Sequence, residues 1–144
     1  MNNVNQNCEF IGTFSSPSGR RTIVVEDNGK VCYAYLLDER REIFGDVWLY
    51  NRCPTPVEPE WQEKADGPFA NPASCSRQDS SFRLPVSVGD ISVEWSEARG
   101  VETARIYLSN RYFAKLVDGA KPGWSLLAAK DGPLAQVLRE ESLG

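Results

Sequence analysis

The chain has 144 residues, 41% of them hydrophobic and 10% aromatic, a composition that suits one globular domain with a workable core and excludes global disorder. Its 16 Lys and Arg against 20 Asp and Glu give a net charge of −4, which supplies no surplus of cations for phosphates and argues against nucleic acid as a partner. Histidine is absent, so neither a Ser-His-Asp nor a Cys-His arrangement can exist in this chain.

The segment 1–7 is polar, with no basic cluster and no apolar stretch, so a secretory signal is not expected and a cytoplasmic location is. No apolar run approaches the roughly 20 residues that cross a bilayer, so no membrane association is expected. Period-two alternation then recurs between turn signals and predicts strands. The first covers 9–14 and ends at Ser15, Ser16, Pro17, Ser18 and Gly19. The second, 21–26, leads through Asp27, Asn28 and Gly29, residues that tolerate the left-handed conformation of a tight hairpin, into a third at 30–37. Charged residues at 38–41 make the next turn, and 42–50, rich in β-branched and aromatic side chains, completes a four-strand meander over 8–50.

Alternation stops from 51 to 80. Pro54, Pro56, Pro59, Pro68 and Pro72 remove backbone donors and fix φ too often for a continuous strand or helix. A loop this long inside a compact domain is functional or poorly ordered, and Trp61 and Phe69 within it favour packing or function. Strands resume at 82–88, 91–95, 102–108 and 112–117, with a last one at 124–129, giving a second meander over 82–129. Ile23, Val25 and Glu26 resemble Ile91, Val93 and Glu94 in outline, as Ala34, Tyr35 and Leu36 resemble Ile106, Tyr107 and Leu108. Asp131 and Pro133 suit a helix start, and Leu134, Val137 and Leu138 share a helical face, so a short C-terminal helix is expected over 133–141. The expected fold is mainly β: one domain, an antiparallel two-sheet sandwich or half-open barrel built from two meanders, with the helix covering an open end or edge.

Four cysteines, Cys8, Cys32, Cys53 and Cys75, are widely separated, lack any Cys-x-x-Cys pair and have no histidine to complete a zinc site, so neither a metal nor any other cofactor is expected. A Cys53–Cys75 disulfide would close the central loop, but a reducing compartment keeps thiols free. No glycine-rich phosphate loop, calcium loop or RNA-binding alternation of basic and aromatic residues is present. A thiol nucleophile is not expected, since none of the four cysteines lies at an expected helix start, and carboxylate pairs remain possible, with Asp46, Glu26 and Glu94 on or at the ends of strands.

The segment 45–56 is the most informative. Alternation puts Phe44, Asp46, Trp48 and Tyr50 on one face and Ile43, Val47 and Leu49 on the other, which describes a central strand covered on both sides. If the first face is open, Asp46, Trp48, Tyr50, Arg52, Trp61 and Phe69 form a binding surface of the residue types that dominate interface energies; if closed, they form a core aromatic cluster. A buried Asp46 requires hydrogen bonds or an arginine such as Arg52, whereas an interfacial one pairs with a partner's cation. With its size and charge, the tract 46–56 followed by Pro59, Glu60 and Trp61 resembles that of small, acidic, uncharacterised cytosolic proteins of bacteria of the immunity-protein type, which neutralise secreted toxins. That resemblance implies a protein partner and no catalytic residues. The expected function is non-enzymatic protein binding. A small-ligand or carbohydrate binder that stacks sugars on Trp48, Trp61 or Tyr50 is the alternative, followed by a carboxylate enzyme.

Overall fold

The computed structural model describes residues 9–60, 68–77 and 82–139. A first antiparallel sheet runs β1 (Phe10–Ser15), β2 (Thr22–Asp27), β3 (Val31–Leu37), β4 (Ile43–Asn51), neighbours in sequence pairing throughout. The β2–β3 hairpin closes as its residue types dictate. Gly29 takes φ 90°, the Asp27 carboxylate accepts from the Gly29 amide at 2.9 Å, and Asn28 Oδ1 accepts from the amides of Lys30 and Val31 at 2.9 and 3.0 Å. Two register shifts in the β3–β4 ladder matter for the site. Cys32 pairs with Tyr50 but Tyr33 pairs with Trp48, so Leu49 is an extra residue in β4. A bulge of this kind breaks the alternation. Trp48 therefore lies with Asp46 on one face, and Tyr50 crosses to the other, with Val47.

The second sheet runs β5 (Ile91–Ala98), β6 (Val101–Leu108), β7 (Arg111–Val117), β8 (Trp124–Ser125), β9 (Gln136–Val137), antiparallel except for the parallel β8–β9 pair. Two-residue hairpins at Arg99 and Gly100 and at Ser109 and Asn110 all take positive φ, the geometry that matches strand twist. Three expectations are corrected here. Residues 82–88 form no strand: the Phe82 ring packs at a tilt against Phe113 with 4.7 Å between centroids, Pro85 is buried without a ladder donor to offer, and the chain turns at Val88–Asp90. The strand expected at 124–129 stops after two residues: the Leu126 amide still bonds in register to the Phe113 carbonyl, and Ala128 then donates to the Ser125 carbonyl and closes a turn. The C-terminal helix is not formed over the described residues to 139, and residues 140 and 141 of that expectation lie outside the described chain. Its amides bond elsewhere: Gln136 to Gly123, Leu138 to Ser125 and Val137 to the Asp131 carboxylate, while the Leu134 carbonyl accepts from Trp48. A helix of nine residues is marginal by itself, and the open edges of β4 and β8 supply better partners.

The inner faces share one core, in which Ile23, Val25, Ala34, Leu36 and Val47 of the first sheet meet Ala104, Ile106, Leu108, Ala114 and Leu116 of the second. Close approach is enforced at Gly45, where an added Cβ would lie 3.0 Å from the Ala120 carbonyl oxygen. Here the β4 edge is capped: Asp46 donates its amide to Ala120 and accepts from Gly123 through its carbonyl. At one end of the molecule an ionic clamp ties the sheets together. Arg21 Nε and Nη2 donate to the two Asp118 carboxylate oxygens at 2.8 and 3.1 Å, and the buried Glu102 accepts from Ser18 and pairs with Arg20.

Candidate functional site

The site residues named from sequence separate into a buried group and an exposed face. Trp48 is 1% exposed and Tyr50 0%. Trp48 Nε1 donates to Asn51 Oδ1 at 2.8 Å, and the Tyr50 hydroxyl donates to Asp27 Oδ2 at 2.7 Å. Neither ring offers a face for a sugar. Arg52 does not reach Asp46. It donates from Nε and Nη2 to Asp27 Oδ2 at 2.9 and 2.7 Å and from Nη2 to the Pro85 carbonyl at 2.7 Å. Burial is the main force raising the Tyr50 phenol, with Cys32 and Asp27 adding to it, so the phenol stays protonated and donating. Asp27, Tyr50 and Arg52 thus form a buried structural cluster that anchors the start of the central loop.

Phe69 is half-buried, and its carbonyl accepts the Tyr33 hydroxyl at 2.7 Å. Trp61 lies outside the described residues. The described parts of the loop are pinned to the first sheet: Asn51 exchanges hydrogen bonds with the Asn71 backbone at 2.8 and 2.9 Å, Lys30 pairs with Glu60 at 2.9 Å, and Glu60 accepts from the Ala70 amide. This packing covers Tyr33 and Trp48 and leaves the rest of the outer face of the first sheet uncovered by it.

Register orders that face into rows across the strands. The first row reads Ile11, Glu26, Tyr33, Trp48; the second Thr13, Val24, Tyr35, Asp46; the third Ser15, Thr22, Leu37, Ile43. Side chains directly opposite in a ladder project to the same side, so all share one surface. Ile11 is 63% exposed and Ile43 49%, while Val24, Tyr35 and Leu37 are partly exposed between them. Sequence reasoning found Asp46 here but missed Ile11, Val24, Tyr35 and Leu37, and alternation put Ile43 on the opposite face; a second register shift, between Leu36 and Leu37, makes Phe44 an extra residue and turns Ile43 to this side. A run such as 30–37, apolar at nearly every position, does not say which face is covered, and only the fold shows that the loop covers Tyr33 while Tyr35 and Leu37 stay partly exposed.

The electrostatics of this face are set by partial burial. Desolvation raises the Asp46 carboxyl above its ordinary value, with the Lys121 charge pulling it back down. Tyr35 is raised to about 12, first by burial and then by the negative charges of Glu26 and Asp46. The surface therefore offers apolar and phenolic contact flanked by two carboxylates. Those carboxylates are carried on separate strands. Glu26 and Asp46 stand two strands apart and one row out of step, which is about 12 Å between their backbones at standard strand spacing, and Glu94 lies on the second sheet.

Among the described residues no group of three His, Cys, Asp or Glu side chains is placed to hold a metal ion, and no helix is long and apolar enough to cross a membrane. Cys32, Cys53 and Cys75 are free thiols, and burial raises those of Cys32 and Cys53, which keeps them protonated and poor nucleophiles. A cavity of about 180 Å³ borders Trp48, Asn51, Thr55, Arg77, Phe82 and Leu127, and a shallower depression of about 420 Å³ borders Glu9, Phe10, Ile11, Glu26, Asp27 and Asn28; only the second exceeds the roughly 300 Å³ at which small-molecule pockets begin. No protein family, no curated protein and no solved structure matches this chain.

Proposed function

We propose that this protein is a non-enzymatic binding module that engages another protein through the outer face of its first sheet. One observation carries the reading: Ile11, Val24, Tyr35, Leu37 and Ile43 are brought side by side on a face that the described chain leaves open, with Glu26 and Asp46 beside them. Contiguous exposed apolar surface with a polar border is the mark of an interaction site. The carboxylates select a partner with cationic groups, and a desolvated Asp46 gains from a cation that displaces its remaining water. A cytoplasmic protein of the immunity type, covering a basic region of a toxin, is the specific form that this chemistry favours.

The test is a capture experiment from the native cell with the wild-type chain beside Ile43→Asp and Tyr35→Ala. A protein retained by the wild type at fixed stoichiometry and lost with either variant, both folded by circular dichroism, supports the reading. Captured proteins that are retained equally by all three chains overturn it.

A further inference from the structure

We propose that a second copy of this chain pairs with the edge of β1 that the described residues leave unpaired, joining two four-stranded sheets into one continuous antiparallel sheet. The direction of the main-chain groups of β1 follows from the ladder. The Ser16 amide donates to the Arg21 carbonyl at 2.9 Å, in step with the β1–β2 register, so Phe10, Gly12 and Phe14 are the residues that bond to β2. On the far side of β2, Asn28 donates to Val31, so the alternate residues Thr22, Val24 and Glu26 bond to β3, as alternation requires. The amides and carbonyls of Ile11, Thr13 and Ser15 consequently point away from β2, and no described segment pairs with them.

Such an edge invites another strand unless something blunts it. The usual devices are missing from β1, which reads FIGTFS with no charge and no proline and pairs with β2 without a register shift. Of the other outer strands, β9 is only two residues long and β5 carries Glu94 and Glu97, charges that oppose self-pairing. The β4 edge is capped by bonds to Ala120, Gly123 and Leu134. Charge and geometry thus single out β1 for self-pairing.

A twofold axis through Thr13 uses all three outward residues, setting Thr13 against its own copy and Ile11 against Ser15. It keeps the outer faces of the two sheets on one side. It also brings the acidic end of one copy, Glu9 and Glu26, level with the turn before Arg21 of the other, where Arg20 is 41% exposed. This inference does not rest on the heterologous partner proposed above, since it concerns the edge of the sheet and not its face.

Sedimentation of the purified full chain over micromolar to millimolar concentrations tests it. The expected result is a species of twice the 16.1 kDa chain mass. Thr13→Pro removes an amide that points away from β2 and so leaves the monomer's own ladder intact; the loss of two symmetry-related hydrogen bonds weakens the dimer about 30-fold. Thr13→Lys puts like charges opposite each other and weakens it about fivefold, whereas an equimolar mixture of Thr13→Lys and Thr13→Glu recovers dimer as the mixed species. Far-UV circular dichroism confirms that each variant is folded. A wild-type chain that stays monomeric throughout, or a dimer indifferent to all Thr13 variants, overturns the proposal.

Discussion

Arg52 reaches back 25 residues in sequence to place Nη2 2.7 Å from the Asp27 carboxylate, which also accepts the Tyr50 hydroxyl. Asp27 is fully buried and the Arg52 side chain only 16% exposed, so breaking the pair leaves a charge in the protein interior without compensation. Arg52→Ala is expected to destabilise the fold by about 3 kcal/mol, and Tyr50→Phe by about 1 kcal/mol. Urea unfolding curves of both variants check this.

The Arg21–Asp118 and Lys30–Glu60 pairs have similar lengths, 2.8 and 2.9 Å, but different surroundings. The first is nearly sequestered and joins the two sheets; the second is substantially exposed. Asp118→Ala is expected to cost about 2 to 3 kcal/mol and Lys30→Ala less than about 1 kcal/mol. Adding salt is expected to narrow the effect of Lys30→Ala further and to leave that of Asp118→Ala nearly unchanged. Equal losses for the two would show that burial does not govern their strength.

Asp46 makes the pH dependence specific. Its folded carboxyl titrates above the ordinary 3.8, because desolvation favours the protonated form. A raised value means that the group's stabilising contribution is present below the ordinary value and is lost as pH rises through the folded one. Asp46→Asn is therefore expected to be more stable than the wild type at pH 7, with the gap closing as pH falls to 3.8 and below. A carboxylate kept against stability fits a residue held for binding, so the same variant is expected to bind the partner more weakly. Thermal melts from pH 3 to 7, paired with a binding assay, read both effects.

Trp48 and Ile43 occupy the same strand and the same outer face, yet one is covered by the loop and the other is not. Trp48→Ala is expected to cost about 3 to 5 kcal/mol, and Ile43→Asp no more than about 0.5 kcal/mol. A large loss of stability in Ile43→Asp would place that side chain in the core and remove it from the interface. At the junction of β7 and β8, Gly123→Ala would put a Cβ 2.5 Å from the Lys115 carbonyl oxygen and 2.7 Å from Leu116 Cδ2. Backbone on one side gives no room to relax, so that variant is expected to fold poorly or lose the end of β7, seen as a lowered melting temperature.

Strand existence was legible wherever alternation was bounded by turn chemistry. The segments expected at 9–14, 21–26, 30–37 and 42–50 correspond to β1 to β4 within a residue at each end, because Gly29, the prolines and the Asp and Asn side chains act locally. The chain after 82 was less legible. Pro85, Phe82 and Leu134 are shaped by what they pack against, and neither a helix nor a long strand survives where β4 and β8 offer unpaired edges. At the candidate site, the alternation that grouped Tyr50 with Asp46 and Trp48 was undone by a single inserted residue at Leu49.

Sequence alone thus determined the β character, the first meander and the absence of imidazole chemistry. Tertiary structure decided which aromatics are core and which are surface, the counter-ion of Asp27 and the fate of the C-terminal segment. The division has one physical cause. Turn formation and alternation depend on neighbours a few residues away, whereas burial, ion pairing and edge capping depend on groups tens of residues distant, whose proximity is set only when the two sheets close over their common core.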